Sequence, residues 1–285
     1  MKKLALYSLL LIAFSSCETV VQLPLEEGEK NLVVESYLEF SKETNTGFAK
    51  VYLTESSAFY GNDEPIPVSN ASVSLNNTYT LTEDPDSMGY YTSQIPIPYQ
   101  GETEFELSII AQIDGKEGQW TAKDSYTEIP NIDSIYYVYV PESPPFQEEG
   151  YYAKIMLIDP VDETNFYHLD VYINDSLSFE LNGGTKRSSI LRDEYSNGSA
   201  LDFEVNDEPL LQGEKLLVRL SSITEDVYFY YFNLYTLLTE TSGIGAPPPF
   251  PLYGNVVSSN DNFSNALGNF QVRSFTQKEI VVTDE

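Results

Sequence analysis

Short runs of alternating apolar and polar residues, separated by turn residues at intervals of about ten positions, constrain this chain more than any other feature of its sequence. Strand side chains point alternately to two faces, so such runs bury one face and leave the other to water. Asn31–Leu38 and Phe48–Thr54 open the series. Ala71–Leu75, Tyr79–Leu81, Gly89–Thr92, Phe105–Ile113 and Gln119–Ala122 follow. Asn76-Asn77 and Asp114-Gly115 fall between runs, where tight hairpins need residues that tolerate positive φ. About seven short strands with such turns predict an antiparallel, Ig-like β-sandwich over residues 31–130.

The second half keeps the β pattern. Ile135–Val140, Tyr151–Ile158, Phe166–Ile173, Ser176–Leu181 and Lys215–Ser221 read as strands, and Gly268–Phe275 and Glu279–Val282 as two more at the end. Thr224–Thr241 breaks the alternation. Val227, Tyr231, Leu234 and Leu238 recur at helical spacing, Ser222 and Glu225 have the spacing of a capping box, and Gly243 offers a stop. The expectation is a mainly β chain whose second domain, 131–285, is β-rich with one clear α-helix near 224–241.

The N-terminus reads as an address. Lys2 and Lys3 precede an apolar stretch, Leu4–Phe14, that is too short for a span of about 20 residues. Ser15-Ser16 then meets Cys17, the sole cysteine. This resembles a lipobox, which implies a signal peptide over 1–16 and a diacylated Cys17 with an acylated new amine, palmitate among the chains. The other readings are an ordinary secretory signal with an incidental cysteine, or a buried cysteine in a cytosolic protein. Several acyl chains hold a protein on a membrane without spanning it, and the acidic stretch 17–30 reads as a tether between anchor and fold.

With 44 acidic against 15 basic residues and a net charge of −29, the chain repels phosphate backbones, which excludes nucleic acid as a partner. One cysteine and one histidine exclude an internal disulfide, a thiolate cluster and a multi-histidine metal site. No catalytic constellation is legible, so the chain reads as a non-enzyme without a cofactor. The acid pairs Asp159/Asp162, Glu148/Glu149 and Asp193/Glu194 are loop neighbours, and strand neighbours face opposite ways. His168, between Tyr167 and Leu169, reads as a half-buried strand residue. Gly183-Gly184 reads as a hairpin turn. Calcium is the one metal with a case, at Asp84/Asp86/Ser87 or Asn260/Asp261/Asn262, and a solvated turn is the stronger reading of both.

The ordered set of Cys17, Leu32–Leu38, Pro67–Leu75 with Gly89-Tyr-Tyr91, Asp159-Pro160, Asn165–Tyr167, the aromatic helix at Tyr228–Tyr235, Gly254-Asn255 and Ala266–Phe270 resembles the DUF4249 lipoproteins of Bacteroidota. The first half alone is similar to transthyretin-like and carboxypeptidase-regulatory-like sandwiches. The resemblance implies an outer-membrane lipoprotein, exposed at the cell surface, that serves as accessory to a TonB-dependent β-barrel transporter. It implies no catalytic residue.

Tyrosine is the notable excess, with 22 residues. In alternation, Tyr137 and Tyr139 share one strand face and Tyr136 and Val138 the other. Tyr137, Tyr139 and Phe250, the last in the Pro247–Pro251 segment, are therefore candidates for a partner or ligand surface. The alternative to the accessory role is a carbohydrate- or peptide-binding surface lipoprotein that works through exposed tyrosines. Asp86-Ser87-Met88, Asp133-Ser134-Ile135 and Asp175-Ser176-Leu177 resemble the O-glycosylation sites of Bacteroidota, making Ser87, Ser134 and Ser176 candidate acceptors.

Overall fold

The computed structural model describes residues 29–57, 65–143, 148–161, 164–178, 189–194, 198–206, 208–240, 250–260 and 263–283. The leader, Cys17 and Gly183-Gly184 lie outside the described residues. Among the described residues the chain is mainly β with one helix, in a sandwich-like arrangement of large sheets.

The strands are β1 Leu32–Ser41, β2 Thr46–Glu55, β3 Ile66–Pro67, β4 Ser72–Leu75, β5 Tyr79–Asp84, β6 Ser87–Ser93, β7 Ile97–Pro98, β8 Glu104–Ile113 and β9 Lys116–Ser125. Then come β10 Ile132–Val140, β11 Gly150–Ile158, β12 Phe166–Ile173, β13 Ser176–Leu177, β14 Ile190–Arg192, β15 Ala200–Glu204 and β16 Lys215–Ile223. Helix α1, Glu225–Glu240, precedes β17 Val256–Ser258 and β18 Leu267–Val281. One hydrogen-bonded sheet runs β13-β12-β16-β18-β1-β2-β6-β5-β4-β8-β9-β17, and a smaller one runs β10-β11-β15. Asn76-Asn77, Asp114-Gly115 and Asn174-Asp175 all have positive φ at both positions, the backbone that matches a two-residue turn to strand twist.

Two cores hang on this sheet. The first gathers Val34, Leu38 and Phe40 of β1 with Ile109, Trp120 and other residues of the N-terminal strands, and it also takes Val256, Ala266, Phe270 and Val272 from the C-terminal stretch. The second packs β12 and β16, through Leu169, Val171, Val218 and Leu220, against Ala153, Ile155 and Leu157 of β11.

The end of the long sheet is tied back to β18 by two side chains. Asn255 Nδ2 donates to the Phe270 carbonyl at 2.7 Å and the Lys123 carbonyl at 2.9 Å, while Phe270 N–H donates to Asn255 Oδ1 at 2.9 Å. Val272 N–H donates to Asp124 Oδ2 at 2.7 Å, and burial pushes the Asp124 carboxyl up to about 6.

Three local expectations change. The two expected terminal strands are one, because Thr276, Gln277 and Lys278, polar enough to pass for a turn, pair with Leu220, Arg219 and Val218 of β16. Ser222 does not cap the helix. Strand β16 runs through Ile223, so Ser222 stays in it, buried, with its hydroxyl donating to the Thr127 carbonyl and near Ser274 Oγ. The helix begins after Thr224, whose hydroxyl donates to Asp124 Oδ1 at 2.8 Å. Finally, an irregularity between Ile132 and Ser134 shifts the inward phase of β10, so Ile135 and Tyr137 face the second core.

β1 and β18 pair in parallel from Val33↔Leu267 to Ser41↔Phe275. At the head of this ladder Gly268 has φ +94, and a Cβ there would lie 2.0 Å from the Val34 carbonyl oxygen. Gly268→Ala therefore combines a strained backbone with a clash against backbone that cannot swing away. It is expected to cost about 3 kcal/mol or more in urea unfolding. Loss of less than about 1 kcal/mol would show that the ladder gives way at this point without cost.

Candidate functional site

The core-forming strands have a second face. Even-numbered positions of β1 and the start of β18 enter the first core, so Tyr37, Glu39, Gln271 and Arg273 point the other way. β16 and β12 continue this outer face with Arg219 and Ser221, and with His168 and Asp170, opposite the residues that enter the second core. On β2, Phe48 and Lys50 stand beside Glu39 and Tyr37. Helix α1 crosses part of the face. Gln271 Nε2 donates to the Tyr231 hydroxyl at 2.7 Å, the Tyr231 ring lies 5.1 Å from His168, and the Tyr235 hydroxyl meets Ser189 Oγ.

Glu39 is the centre of the charge arrangement. Its Oε1 lies 2.9 Å from Arg273 Nε and its Oε2 3.0 Å from Arg219 Nη1. Each guanidinium is also stacked on a ring, Arg273 over Tyr37 at 4.7 Å and Arg219 over Phe275 at 4.4 Å. Arg219 Nη2 donates to Gln277 Oε1 at 3.3 Å. Arg273 is buried, 7% exposed, so its charge has left water and depends on Glu39 for compensation. His168, buried beside it, lies 3.5 Å from Asp170 through Nδ1. Burial holds the imidazole well below its usual range, at about 4, so it is neutral at physiological pH.

Beside the helix this face opens into a groove of about 500 Å³. Tyr37, Phe48 and Phe275 supply aromatic wall, Glu39, Arg219 and Lys50 the charges, and several Ser and Thr residues the rest of the lining. A pocket of that size with fixed polar groups and aromatic walls has the build of a small-ligand site.

A second cleft, about 650 Å³, lies where the two cores meet, between the Tyr126–Pro130 connection, the Thr164–Tyr167 stretch and the end of β16. Behind its rim the structure makes an acid pair that adjacency in the sequence does not. Asp159 comes together with Asp193, one member from each of two neighbouring-acid pairs, and both are buried. The Tyr167 hydroxyl donates to Asp159 Oδ1 at 2.6 Å and Gly198 N–H to Asp159 Oδ2 at 3.1 Å. Asn165 N–H donates to Asp193 Oδ1 at 2.8 Å. Burial and the neighbouring Asp159 push the Asp193 carboxyl up to about 6. With three of their oxygens accepting from protein donors and both side chains buried, these acids fasten two loops together.

The other sequence-derived residues fall elsewhere. Tyr137 is half-buried against the second core, its hydroxyl donating to the Thr283 carbonyl at 3.2 Å. Tyr139, on the same strand face, stacks edge-on with Tyr151 at 5.3 Å and is 50% exposed. Phe250 is exposed and distant in sequence from both. Ser87 and Ser176 sit exposed at hairpin turns, while Ser134 is half-buried on β10. At Asp84 and Asp86 the carboxylate of Asp84 accepts the Asp86 N–H at 2.9 Å, a turn closed on itself. Among the described residues no group of three or more His, Cys, Asp or Glu side chains converges. The Glu39–Arg219–Arg273 cluster escaped sequence reading, although a charge at Arg219 between Val218 and Leu220, and at Arg273 after Val272, was the available sign.

A family model described as "Domain of unknown function (DUF4249)" matches residues 18–279, nearly the whole chain, so the chain belongs to that family. No curated protein matches the sequence.

Two outcomes test the site. Glu39→Gln leaves two guanidiniums without their counter-charge, one of them buried, and is expected to cost about 3–5 kcal/mol in denaturant unfolding. A loss under about 1 kcal/mol would mean that water screens the cluster. The pH dependence has opposite signs at the two buried acids and bases. The His168 contribution is complete above pH 6.5 and is lost as pH falls through about 4. That of Asp193 is complete below pH 3.8 and is lost as pH rises through about 6. His168→Gln should therefore lose less stability than the wild type between pH 6.5 and 4. Asp193→Asn should gain on the wild type as pH rises from 3.8 to about 6. Parallel curves of melting temperature against pH would refute both assignments.

Proposed function

We propose that this DUF4249 protein is a non-catalytic lipoprotein of the outer membrane, anchored through Cys17 and exposed at the cell surface. In this reading it is an accessory subunit of a TonB-dependent transporter or a related barrel complex. The observation that carries the reading is the outer side of α1. Phe229 and Phe232 are exposed there, on a helix whose inner side already packs Val227, Tyr231 and Tyr235. Two large aromatic side chains left in water one turn apart on the same side of a helix form a patch of the kind that marks a contact surface. A second apolar strip, Val138, Met156 and Ile158, is exposed on the β10-β11-β15 sheet.

The leader supports the address: Lys2-Lys3, the apolar run Leu4–Phe14 and Ser15-Ser16-Cys17 have the order of a lipoprotein signal. Without Lys2 and Lys3 the anchored body has 13 basic against 44 acidic residues, about −31, and is repelled by anionic headgroups, which favours a fold held off the bilayer by the 17–30 tether and free to meet a barrel. Docking would then rest on aromatic area, with the acidic field rejecting wrong contacts.

The test is affinity purification of the native lipoprotein from host membranes in mild detergent. Wild type is expected to retain an outer-membrane β-barrel. A Phe229→Asp/Phe232→Asp variant, altered only at exposed positions and checked for an unchanged melting temperature, is expected to recover at least about tenfold less of it. Cys17→Ser is expected to leave the membrane fraction. Wild-type preparations that never contain a barrel, or variants that recover it undiminished, would overturn the reading.

A further inference from the structure

The outer sheet face holds more polar groups than it satisfies. Four of the buried side-chain atoms that find no hydrogen-bond partner among the described residues lie on it: Arg219 Nε, Ser221 Oγ, Asn269 Oδ1 and Gln271 Oε1. They are not scattered. Arg219 lines the groove; Gln271 and Ser221 are the register partners of Tyr37 and Phe275, which line it too, and Asn269 continues the row on β18. Buried polar atoms are costly to leave unpaired, so a concentrated row of them next to an open groove points to a ligand.

Their chemistry narrows its class. The two amide oxygens accept, the Arg219 Nε–H donates, and the serine can do either. An anion would satisfy the donors and strand the acceptors; a cation would do the reverse. A hydroxyl donates and accepts at once, so a ligand carrying several hydroxyls matches the mixture. The acidic body, of charge −29, also disfavours anions at long range. Tyr37, Phe48 and Phe275 give the groove aromatic surface for the apolar C–H face of such a molecule, and Phe48 is 53% exposed at the mouth. Glu39, held from both sides by ring-stacked guanidiniums, is fixed before any ligand arrives, which lowers the cost of ordering the site.

We infer that the groove beside α1 is a binding site for a neutral saccharide, with Phe48 as the stacking platform and Glu39, Arg219 and Gln271 as the hydrogen-bonding groups. This goes beyond the accessory role, since the groove is distinct from the outer side of α1.

The full lipoprotein, in detergent, is to be applied to an array of neutral gluco-, xylo- and manno-oligosaccharides, beside uronic-acid oligosaccharides and unstructured peptides, and hits are to be titrated by calorimetry. Retention on one or more neutral oligosaccharides is expected. Phe48→Ala, an exposed change that leaves the fold intact, and Gln271→Met should each weaken that binding at least about tenfold, while Phe229→Ala leaves it unchanged. No retention on any neutral oligosaccharide, retention only on uronic acids or peptides, or affinity untouched by Phe48→Ala would each overturn the assignment. Barrel recovery is read in a separate preparation, so either conclusion can fail alone.

Discussion

The parallel pairing of β1 with β18 is the constraint on which the rest of the molecule depends. It joins the first described strand to the last, from Val33↔Leu267 to Ser41↔Phe275, so the sheet cannot be completed until nearly all of the chain is in place. β18 is long enough to serve two masters. Its first half sends Phe270 and Val272 into the first core, and its second half pairs with β16, whose Val218 and Leu220 enter the second. Gly268 lets the two backbones approach at the top of the ladder, and the Asn255 and Asp124 side chains hold the far end of the sheet to β18. The outer face follows as a consequence. Once the alternate residues of β1, β18, β16 and β12 are committed to the cores, the remaining ones must share a surface.

That geometry explains which parts were readable from residue order. Hairpins were legible because their turns are local: Asn76-Asn77 and Asp114-Gly115 need positive φ and supply residues that tolerate it. The helix was legible from its spacing, but its start was not. Ser222 and Glu225 satisfy a local rule, while tertiary contacts to Thr127 and Ser274 claim Ser222 for the strand. Tyr137 was placed on the correct alternating set beside Tyr139, yet whether that set faces in or out was decided by the irregularity after Ile132. The acid pair was invisible for the same reason as the arginine cluster. Asp159 and Asp193 meet across loops, and Glu39, Arg219 and Arg273 meet across three strands, so neither leaves a spacing to detect.

Placing two arginines on a largely buried face of so acidic a protein is an expensive arrangement in physical terms. Basic residues are scarce, 15 against 44 acids, and most solvent-facing positions would favour them for relieving repulsion. A pair of guanidiniums compensated by a single carboxylate stabilises less than apolar packing of similar volume would. What the arrangement does provide is orientation. Each guanidinium is fixed by a ring and a carboxylate together, and Glu39 is fixed by both, so the groove's polar groups keep their positions without a ligand. Rigidity of that kind is useful where something must be recognised, and it accounts for charges that packing alone does not require.

Helix α1 stands between the two proposed surfaces, and this has a thermodynamic consequence. Its inner side reaches the groove's polar row through the Tyr231–Gln271 hydrogen bond and the contact of Tyr231 with His168. Its outer side carries Phe229 and Phe232, the residues assigned to a barrel partner. A saccharide that engages Gln271 competes for or reinforces the bond that holds Tyr231, and so changes the free energy of the helix position. A partner on the outer side acts on that same position. If the helix has two arrangements that differ in either contact, the effects of ligand and partner on each other must be equal in free energy, because linkage between binding events is reciprocal. A small shift is enough to matter, since among the described residues the helix meets the sheet through aromatic contacts and side-chain hydrogen bonds, such as those of Tyr231 and Tyr235, not through a backbone ladder.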